Sequence, residues 1–244
     1  MQKIKTIHLA ETFSTNGFLH DYRGEEGEMM TVVSASYQTA GRGQGTNRWE
    51  SERGKNLLFS IKTRPANVPA NRQFVMLEAG ALSVRDALNK YIKGGMSVKW
   101  PNDIYYSDRK ISGTLSECTV LHGKLENCIT GTGININQRS FPSNIPNAIS
   151  LYNIIGREVE PSVILRDVTD AFETYLDMID KGLLDRIHTL YLHGLYRGSG
   201  LHKYKDSYGT FLASMANVET DGHLVLKRSD GSISRYAFKE VSFL

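Results

Sequence analysis

The stretch from residue 96 to residue 137 constrains the fold most, because it contains four short strand patterns in a row. Turn residues separate the predicted strands, which cover Val98–Trp100, Ile104–Tyr106, Ile111–Leu121 and Leu125–Asn137. Long segments with apolar residues at helical spacing lie before and after this stretch. A chain that combines consecutive strands with amphipathic helices is predicted to be an α/β or α+β protein.

The remaining elements can be placed from caps, glycines and prolines. Ser14-Thr15-Asn16 offers N-cap residues for a short helix, and Pro161 favours the start of a long one. Further strands are predicted at 3–10, 31–33 and 56–61, a helix that ends at Gly94-Gly95, and a shorter helix at 183–195. The first long helix carries Leu77, Ala81, Val84, Leu88 and Tyr91, and the second carries Ile164, Val168, Ala171, Phe172, Tyr175, Leu176 and Ile179.

The pattern changes near residue 200. Short β-like segments at 209–218, 223–228 and 233–239 are separated by Asp-Gly turns. We therefore predict two domains, a large one over 1–197 and a small all-β one over 198–244.

Composition excludes several classes of function. The formal net charge of 244 residues is only +3, which argues against nucleic acid or a membrane surface as the main partner. The sequence has no signal peptide pattern and no run near the roughly 20 apolar residues of a membrane helix. Cys118 and Cys128 flank a predicted turn at Leu121–Lys124, and we interpret them as reduced core thiols. A cytoplasmic enzyme is the prediction that fits best.

The richest chemical motif runs from Gln38 to Trp49. Gly41, Gly43 and Gly45 alternate with other residues, and such a loop can form a nest of N–H groups that binds an anion. Arg42 can add bidentate contacts to a phosphate or carboxylate, and Trp49 could cover an apolar ligand. The spacing fits neither the dinucleotide-binding fingerprint nor a Walker A loop. Taken alone, the glycines would more often indicate an ordinary surface loop.

A second motif, Lys99-Trp100-Pro101-Asn102-Asp103, is followed by Lys110-Ile111-Ser112-Gly113. Pro101 between two strand segments fixes a turn, which would hold Asn102 and Asp103 rigidly. Lys110 begins the next strand, from which its ammonium could reach the same pocket. The alternative is a solvated hairpin with paired surface charges, and Trp100 could simply belong to the core.

A third motif, Thr130-Gly131-Thr132-Gly133-Ile134-Asn135, places glycines at alternate positions of a predicted strand. Glycine weakens a strand unless another group packs against its bare backbone. A bulge or a barrel corner is one explanation, and the close approach of a ligand is the other.

Together the three motifs resemble the signature blocks of biotin–protein ligases, in the same order and at similar separations. Ser14-Thr15-Asn16 and Gln38 match as well. The resemblance implies a mixed-sheet, class II synthetase-like catalytic domain with a small SH3-like β-barrel at its C-terminus. It also implies an enzyme that activates biotin with ATP to biotinyl-5'-AMP and transfers biotin to a lysine of a biotin carboxyl carrier protein.

The resemblance assigns roles to individual residues. Lys110, Arg42 and Asp103 would be catalytic, the first two as cations and Asp103 toward the acceptor lysine. Mg²⁺ would bridge the phosphates through phosphate oxygens and water, without a protein metal site. Biotin would be bound by Ser14, Thr15, Asn16, Gln38, Gly41, Arg42, Gly43, Trp49, Lys110, Gly113 and Gly133. ATP and the adenylate would be bound by Arg42, Trp49, Lys99, Asn102, Asp103, Lys110 and Asn135.

The sequence departs from the family pattern at Gln44, where an arginine is usual, and Gly45-Thr46-Asn47 lacks the usual Gly-Arg pair. We expect the loop to retain the adenylate less tightly for that reason. Few residues precede Ser14, so a DNA-binding function is not expected. Lipoate–protein ligase and a non-catalytic biotin or nucleotide sensor are the alternatives, and a monomer and a homodimer are both compatible with the sequence.

Overall fold

The computed structural model describes residues 3–25, 28–43, 45, 47–145 and 147–244, and a seven-stranded sheet lies at its centre. The strand order is β1-β2-β3-β7-β6-β5-β4; β1 runs parallel to β2 and the other neighbours are antiparallel. The predicted mixed sheet is therefore confirmed. The strands are β1 (Lys3–Leu9), β2 (Glu28–Ala35), β3 (Leu57–Thr63), β4 (Met96–Lys99), β5 (Asp103–Tyr106), β6 (Arg109–Leu121) and β7 (Lys124–Ile134).

The predicted helices are present in the structure. One helix, α3, was not predicted, although Ser150 and Asn153 form a capping box that marks its start. A 3-10 turn at Ala70–Arg72 precedes α2. The helices are α1 (Thr15–Asp21), α2 (Phe74–Asn89), α3 (Leu151–Ile155), α4 (Pro161–Asp180) and α5 (Leu184–His193).

The two faces of the large sheet are covered differently. Helix α2 packs on one face, where Gly80 lies so close to Thr130 that a Cβ would be 2.8 Å from its Cγ2. Because side chains alternate along a strand, Ile129 and Gly131 point to the opposite face. There Ile129 packs with Leu19 of α1. Helix α1 covers this second face only in part, which leaves room for a cavity beside it.

The C-terminal residues form a separate antiparallel sheet, in the order β11-β10-β9-β8-β12. The prediction had β9, β10 and β11 but lacked β8 and β12. The paired strands leave β11 and β12 at the two edges, so the described strands form an open sheet instead of the closed barrel that we expected. The boundary between residues 197 and 198 stays a prediction. The strands are β8 (His202–Asp206), β9 (Gly209–Val218), β10 (Leu224–Arg228), β11 (Ile233–Tyr236) and β12 (Ser242–Phe243).

Trp100 connects the two sheets. Its Nε1 donates to the carbonyl of Gly222 at 2.9 Å, and its ring lies 5.4 Å from that of Phe238. Phe74 of α2 completes this aromatic contact, 6.1 Å from Phe238. The second residue of the second motif is therefore buried against turns of the C-terminal sheet.

Cys118 and Cys128 lie directly opposite each other in the β6–β7 hairpin, and both are free thiols. The turn of that hairpin falls between Leu121 and Lys124, as predicted. No helix among the described residues is long and apolar enough to cross a membrane.

A buried ion pair joins α2 to α5. Glu78 Oε1 lies 2.5 Å from His188 Nδ1, and the side chain of Glu78 is 2% exposed. Burial raises the pKa of Glu78, and the hydrogen bond with Glu78 raises the pKa of His188. The charged form of His188 therefore stabilises the folded protein.

We predict that the free energy of unfolding decreases as the pH rises from the ordinary histidine pKa of about 6.5 through the raised pKa of His188. The folded-state pKa of His188 is raised, so its contribution is complete below the unfolded pKa and is lost as the pH rises through the folded one. Urea unfolding of His188→Gln should show a flatter pH dependence. His193→Gln, on the exposed side of the same helix, is the control; an unchanged slope in His188→Gln would contradict the assignment.

Candidate active site

A cavity of 580 Å³ lies on the face of the large sheet beside α1. All three sequence motifs and the start of α1 contribute to its lining, so the tertiary structure brings most of the predicted residues together. The predicted residues in the lining are Ser14, Thr15, Asn16, Gln38, Arg42, Gly43, Trp49, Asn102, Asp103, Lys110, Gly113 and Gly133. The lining also includes residues that the sequence had not assigned to the ligand. These include Asn47, Arg48 and Thr132 within the motifs, and Glu50, Asn144 and Ile145 outside them.

One end of the cavity is a network of uncharged polar groups. Ser14 caps α1, and the next residue, Thr15, donates to Gln38 Oε1 from its backbone N–H at 2.7 Å and from its hydroxyl at 3.0 Å. Because Thr15 uses both donors on one oxygen, the amide of Gln38 is fixed in position. The helix start and the loop motif are thereby joined.

Ser60 of β3 lies under this network and was not predicted. Its hydroxyl is 2.7 Å from Thr15 Oγ1 and 2.5 Å from Asn16 Oδ1, and the residue is fully buried. Asn16 in turn donates to Glu117 Oε2 at 2.6 Å. The sequence did carry one signal for Ser60, because a serine in a predicted apolar strand is buried and its hydroxyl then needs a hydrogen-bond partner.

The glycine loop is a small hairpin in the structure. Arg42 and Arg48 form an antiparallel bridge, and the N–H of Gly43 donates to the carbonyl of Asn47 at 2.8 Å. The expectation of a nest with free N–H groups is therefore wrong at Gly43, because its N–H is used inside the loop. The hairpin instead presents two arginines to the cavity. Gln44 and Thr46 lie outside the described residues.

Trp49 lies flat against the bare backbone of β7. A Cβ on Gly133 would be 2.3 Å from Trp49 Cε2, so only glycine permits this approach. Trp49 Nε1 is buried without a hydrogen-bond partner among the described residues. The ammonium of Lys110 lies 5.8 Å from the centre of the Trp49 ring.

The side chain of Asn16 packs on the bare backbone of Gly131, as Trp49 does on Gly133. A Cβ at Gly131 would lie 2.0 Å from Asn16 Oδ1. The alternate glycines of the third motif are thus explained by two side chains of the site that pack on the strand.

Lys110 and Asp103 form an ion pair at the other end of the cavity. Their Nζ and Oδ1 atoms are 2.7 Å apart, with the side chains 32% and 25% exposed. Both atoms would lie about equally close to a Cβ on Gly113, at 3.1 and 3.2 Å. The second motif therefore folds as a β5–β6 hairpin that places a cation and a carboxylate side by side, as predicted.

Three predicted residues do not line the cavity. Lys99 points away, with its Nζ 3.1 Å from Tyr105 Oη, and burial lowers its pKa. Asn135 donates to the carbonyl of Ile149, and Gly41 is buried where a Cβ would be 2.5 Å from the carbonyl oxygen of Trp49. The geometry gives these residues supporting roles, and the ligand contacts expected of them are not part of the proposal below. Asn102 lines the cavity, but its amide also donates to the carbonyl of Thr114.

Comparison with known proteins now identifies the family. A family model described as the biotin/lipoate A/B protein ligase family matches residues 10–135, and this range includes the three motifs. The chain belongs to this family. The match begins just before the helix cap of α1 and ends at Asn135.

Individual members of the family are similar over most of the chain. A bifunctional ligase/repressor of Bacillus spizizenii is 27% identical over 89% of this chain and 68% of its own length. The human biotin–protein ligase is 31% identical, in a match that covers 72% of this chain and 25% of the human protein. A solved structure, biotin protein ligase from Aquifex aeolicus in complex with biotin and ATP, superposes with a TM-score of 0.79 at 26% identity and covers 98% of both chains.

We predict that Gly133→Ala displaces Trp49, because the new Cβ would overlap the indole. Acrylamide should then quench the fluorescence of Trp49 more strongly, while Trp100 stays buried. The free energy of unfolding should fall by about 1–3 kcal/mol, as for other overpacked sites. Gly17→Ala is the control, since a Cβ there would lie 3.7 Å from its nearest neighbour. Quenching at the wild-type level would show that Trp49 does not depend on the bare backbone.

Proposed function

We propose that this family member is an ATP-dependent biotin–protein ligase that forms biotinyl-5'-AMP and transfers biotin to a lysine of another protein. The observation that supports this most is the composition of the cavity. Thr15, Asn16 and Gln38 form an uncharged polar network, and the lining also carries the cations Arg42, Arg48 and Lys110. That arrangement suits a ligand with a neutral hydrogen-bonding ring and an acidic tail.

The polar end would hold the ureido ring of biotin, which carries one acceptor and two donors. Thr15, Asn16 and Gln38 are fixed in position by one another and by Ser60 before any ligand arrives. Preorganised polar groups bind without a further loss of side-chain freedom. The bare backbone at Gly113 and Gly133 would let the apolar part of biotin approach the strands closely.

Arg42 and Lys110 would serve the first chemical step. An oxygen of the biotin carboxylate attacks the α-phosphorus of ATP, a new P–O bond forms, and the bond to pyrophosphate breaks. Two anions meet in this step, so fixed cations at the growing charge lower the barrier. Both side chains line the cavity on different elements, the loop hairpin and strand β6.

Mg²⁺ would enter with the nucleotide and neutralise phosphate charge. The acidic residues of the described lining are Glu50 and Asp103, and Asp103 is already paired with Lys110. This donor set suits a metal that is bound mainly through phosphate oxygens and water. No protein cage for the metal is needed in the proposal.

Asp103 would serve the second step. When Lys110 turns to the phosphate, its partner carboxylate is released and can accept a proton from the incoming lysine amine. The amine nitrogen then attacks the biotinyl carbonyl carbon, the bond to the phosphate oxygen breaks, and AMP leaves. The acceptor in this proposal is the biotin carboxyl carrier subunit or domain of a carboxylase.

Pyrophosphate release shows whether the protein activates biotin or lipoate. Purified protein with ATP should release pyrophosphate with biotin and not with lipoate, and should then attach label to a carrier domain. Turnover with lipoate alone would contradict the proposal, and binding of biotin without any pyrophosphate release would indicate a sensor.

We predict that Lys110→Ala loses adenylation while the fold persists. Removal of one contact to the developing charge lowers the rate by about two to three orders of magnitude. Pyrophosphate release and thermal unfolding should be measured on the same preparation. Lys124→Ala is the matched control, because Lys124 is exposed and lies at the turn of the β6–β7 hairpin, at the far end of β6 from Lys110. Rapid pyrophosphate release by folded Lys110→Ala would refute the role.

We predict that Gln44→Arg slows the release of biotinyl-5'-AMP by about tenfold, as expected for one charge-assisted hydrogen bond. Stopped-flow measurement of adenylate release from both proteins tests this. Equal rates would mean that other cationic side chains already bind the phosphate of the adenylate. Arg48 lines the cavity, and the ammonium of Lys239 lies 2.4 Å from the position of a Cβ on Gly45. Lys55, by contrast, pairs with Glu158 at 3.6 Å.

A further inference from the structure

Glu117 is a carboxylate beside a cavity that has to accept anionic ligands, and none of the sequence motifs includes it. It lies in β6, where side chains two residues apart share a face of the sheet. Glu117 is therefore on the same face as Gly113 and Leu115, both of which line the cavity. Glu117 itself is not among the described lining residues, and its side chain is 29% exposed.

A single oxygen of Glu117 contacts two elements of the site. Oε2 accepts from Asn16 Nδ2 at 2.6 Å and from Arg42 Nη2 at 3.1 Å. His20 of α1 also approaches this oxygen, with its Nε2 3.5 Å away. Glu117 thus connects helix α1 and the loop hairpin to strand β6.

The contact leaves most of the Arg42 guanidinium available. A guanidinium has five N–H donors, and among the described residues the contact with Glu117 engages Nη2. The arginine is therefore held at one corner, and its other donors can meet a ligand anion. Asn16 is likewise held from two sides, by Ser60 at its oxygen and by Glu117 at its nitrogen.

We propose that Glu117 is a positioning residue that orients Arg42 and Asn16 for the ligand. The inference rests on the ligand-binding roles given to these two residues above. A negative charge here weakens the positive potential that attracts an anion. The charge of Glu117 is compatible with ligand binding when a preoriented Arg42 gains more binding free energy than the weaker potential loses. Preorientation has this effect because less side-chain freedom is lost on binding.

The test is a double-mutant cycle with Glu117→Gln and Arg42→Ala. Glutamine keeps the size of the side chain and an acceptor for Asn16, but removes the charge that pairs with Arg42. Pyrophosphate release should be measured at varied biotin in the wild type, in both single variants and in the double variant. We expect Glu117→Gln to raise the KM for biotin about three- to tenfold with kcat changed by less than about twofold. In the Arg42→Ala background it should add nothing.

Further variants separate positioning from a structural role. Glu117→Asp retains the charge but is shorter by one methylene, so its KM should rise less than that of Glu117→Gln. It is the second test of the proposal if Glu117→Gln fails to fold. Glu126→Gln, exposed on β7 of the same hairpin, should behave as the wild type. Thermal unfolding of every variant shows whether a rise in KM follows from a loss of stability.

Each outcome has a distinct meaning. An unchanged KM in Glu117→Gln, or an effect that adds fully to that of Arg42→Ala, would overturn the positioning role. If Arg42→Ala raises the KM and Glu117→Gln does not, the proposed function stands and only this inference fails. If Arg42→Ala itself leaves the KM unchanged, the assignment of Arg42 is refuted and the role of Glu117 with it.

Discussion

The site depends on the bare backbone of β6 and β7 at three glycines, Gly113, Gly131 and Gly133. Asn16 and Trp49 occupy the space that Cβ atoms would need at Gly131 and Gly133. Glycine weakens a strand, so this arrangement lowers the intrinsic stability of the sheet at its centre. Neighbouring strands on both sides supply the hydrogen bonds that keep β7 in place, since it pairs with β3 and β6 along most of its length.

The same hairpin organises the charges. Strand β6 carries Lys110 near its start, which pairs with Asp103, and Glu117 farther along, which pairs with Arg42. Both cations of the proposed chemistry therefore have a carboxylate partner in the protein without ligand. Pairs of this kind keep cations oriented at a partly exposed site, where an ion pair by itself stabilises the fold little.

The C-terminal sheet is joined to the site through the second motif. Trp100 is buried against Gly222 and Phe238, and the residues that follow it, Asn102 and Asp103, line the cavity. Packing between the two sheets thus fixes the start of the turn that holds Asp103. Trp100 belongs to this packing and not to the ligand, which the sequence had left open.

The sequence by itself determined most of the helices and strands in their order, the three motifs and most of the cavity residues, because these follow from local periodicity, turn residues and the family resemblance. It did not reveal Ser60, Glu117, Asn144 or Ile145, since none of them belongs to a motif and their positions depend on contacts between distant segments. It also placed Lys99 and Asn135 at the ligand, although one side chain contacts Tyr105 and the other a buried carbonyl. Spacing along a strand shows which residues share a face. Only the tertiary structure decides which of them meet a cavity, because packing against other elements determines which part of that face stays open.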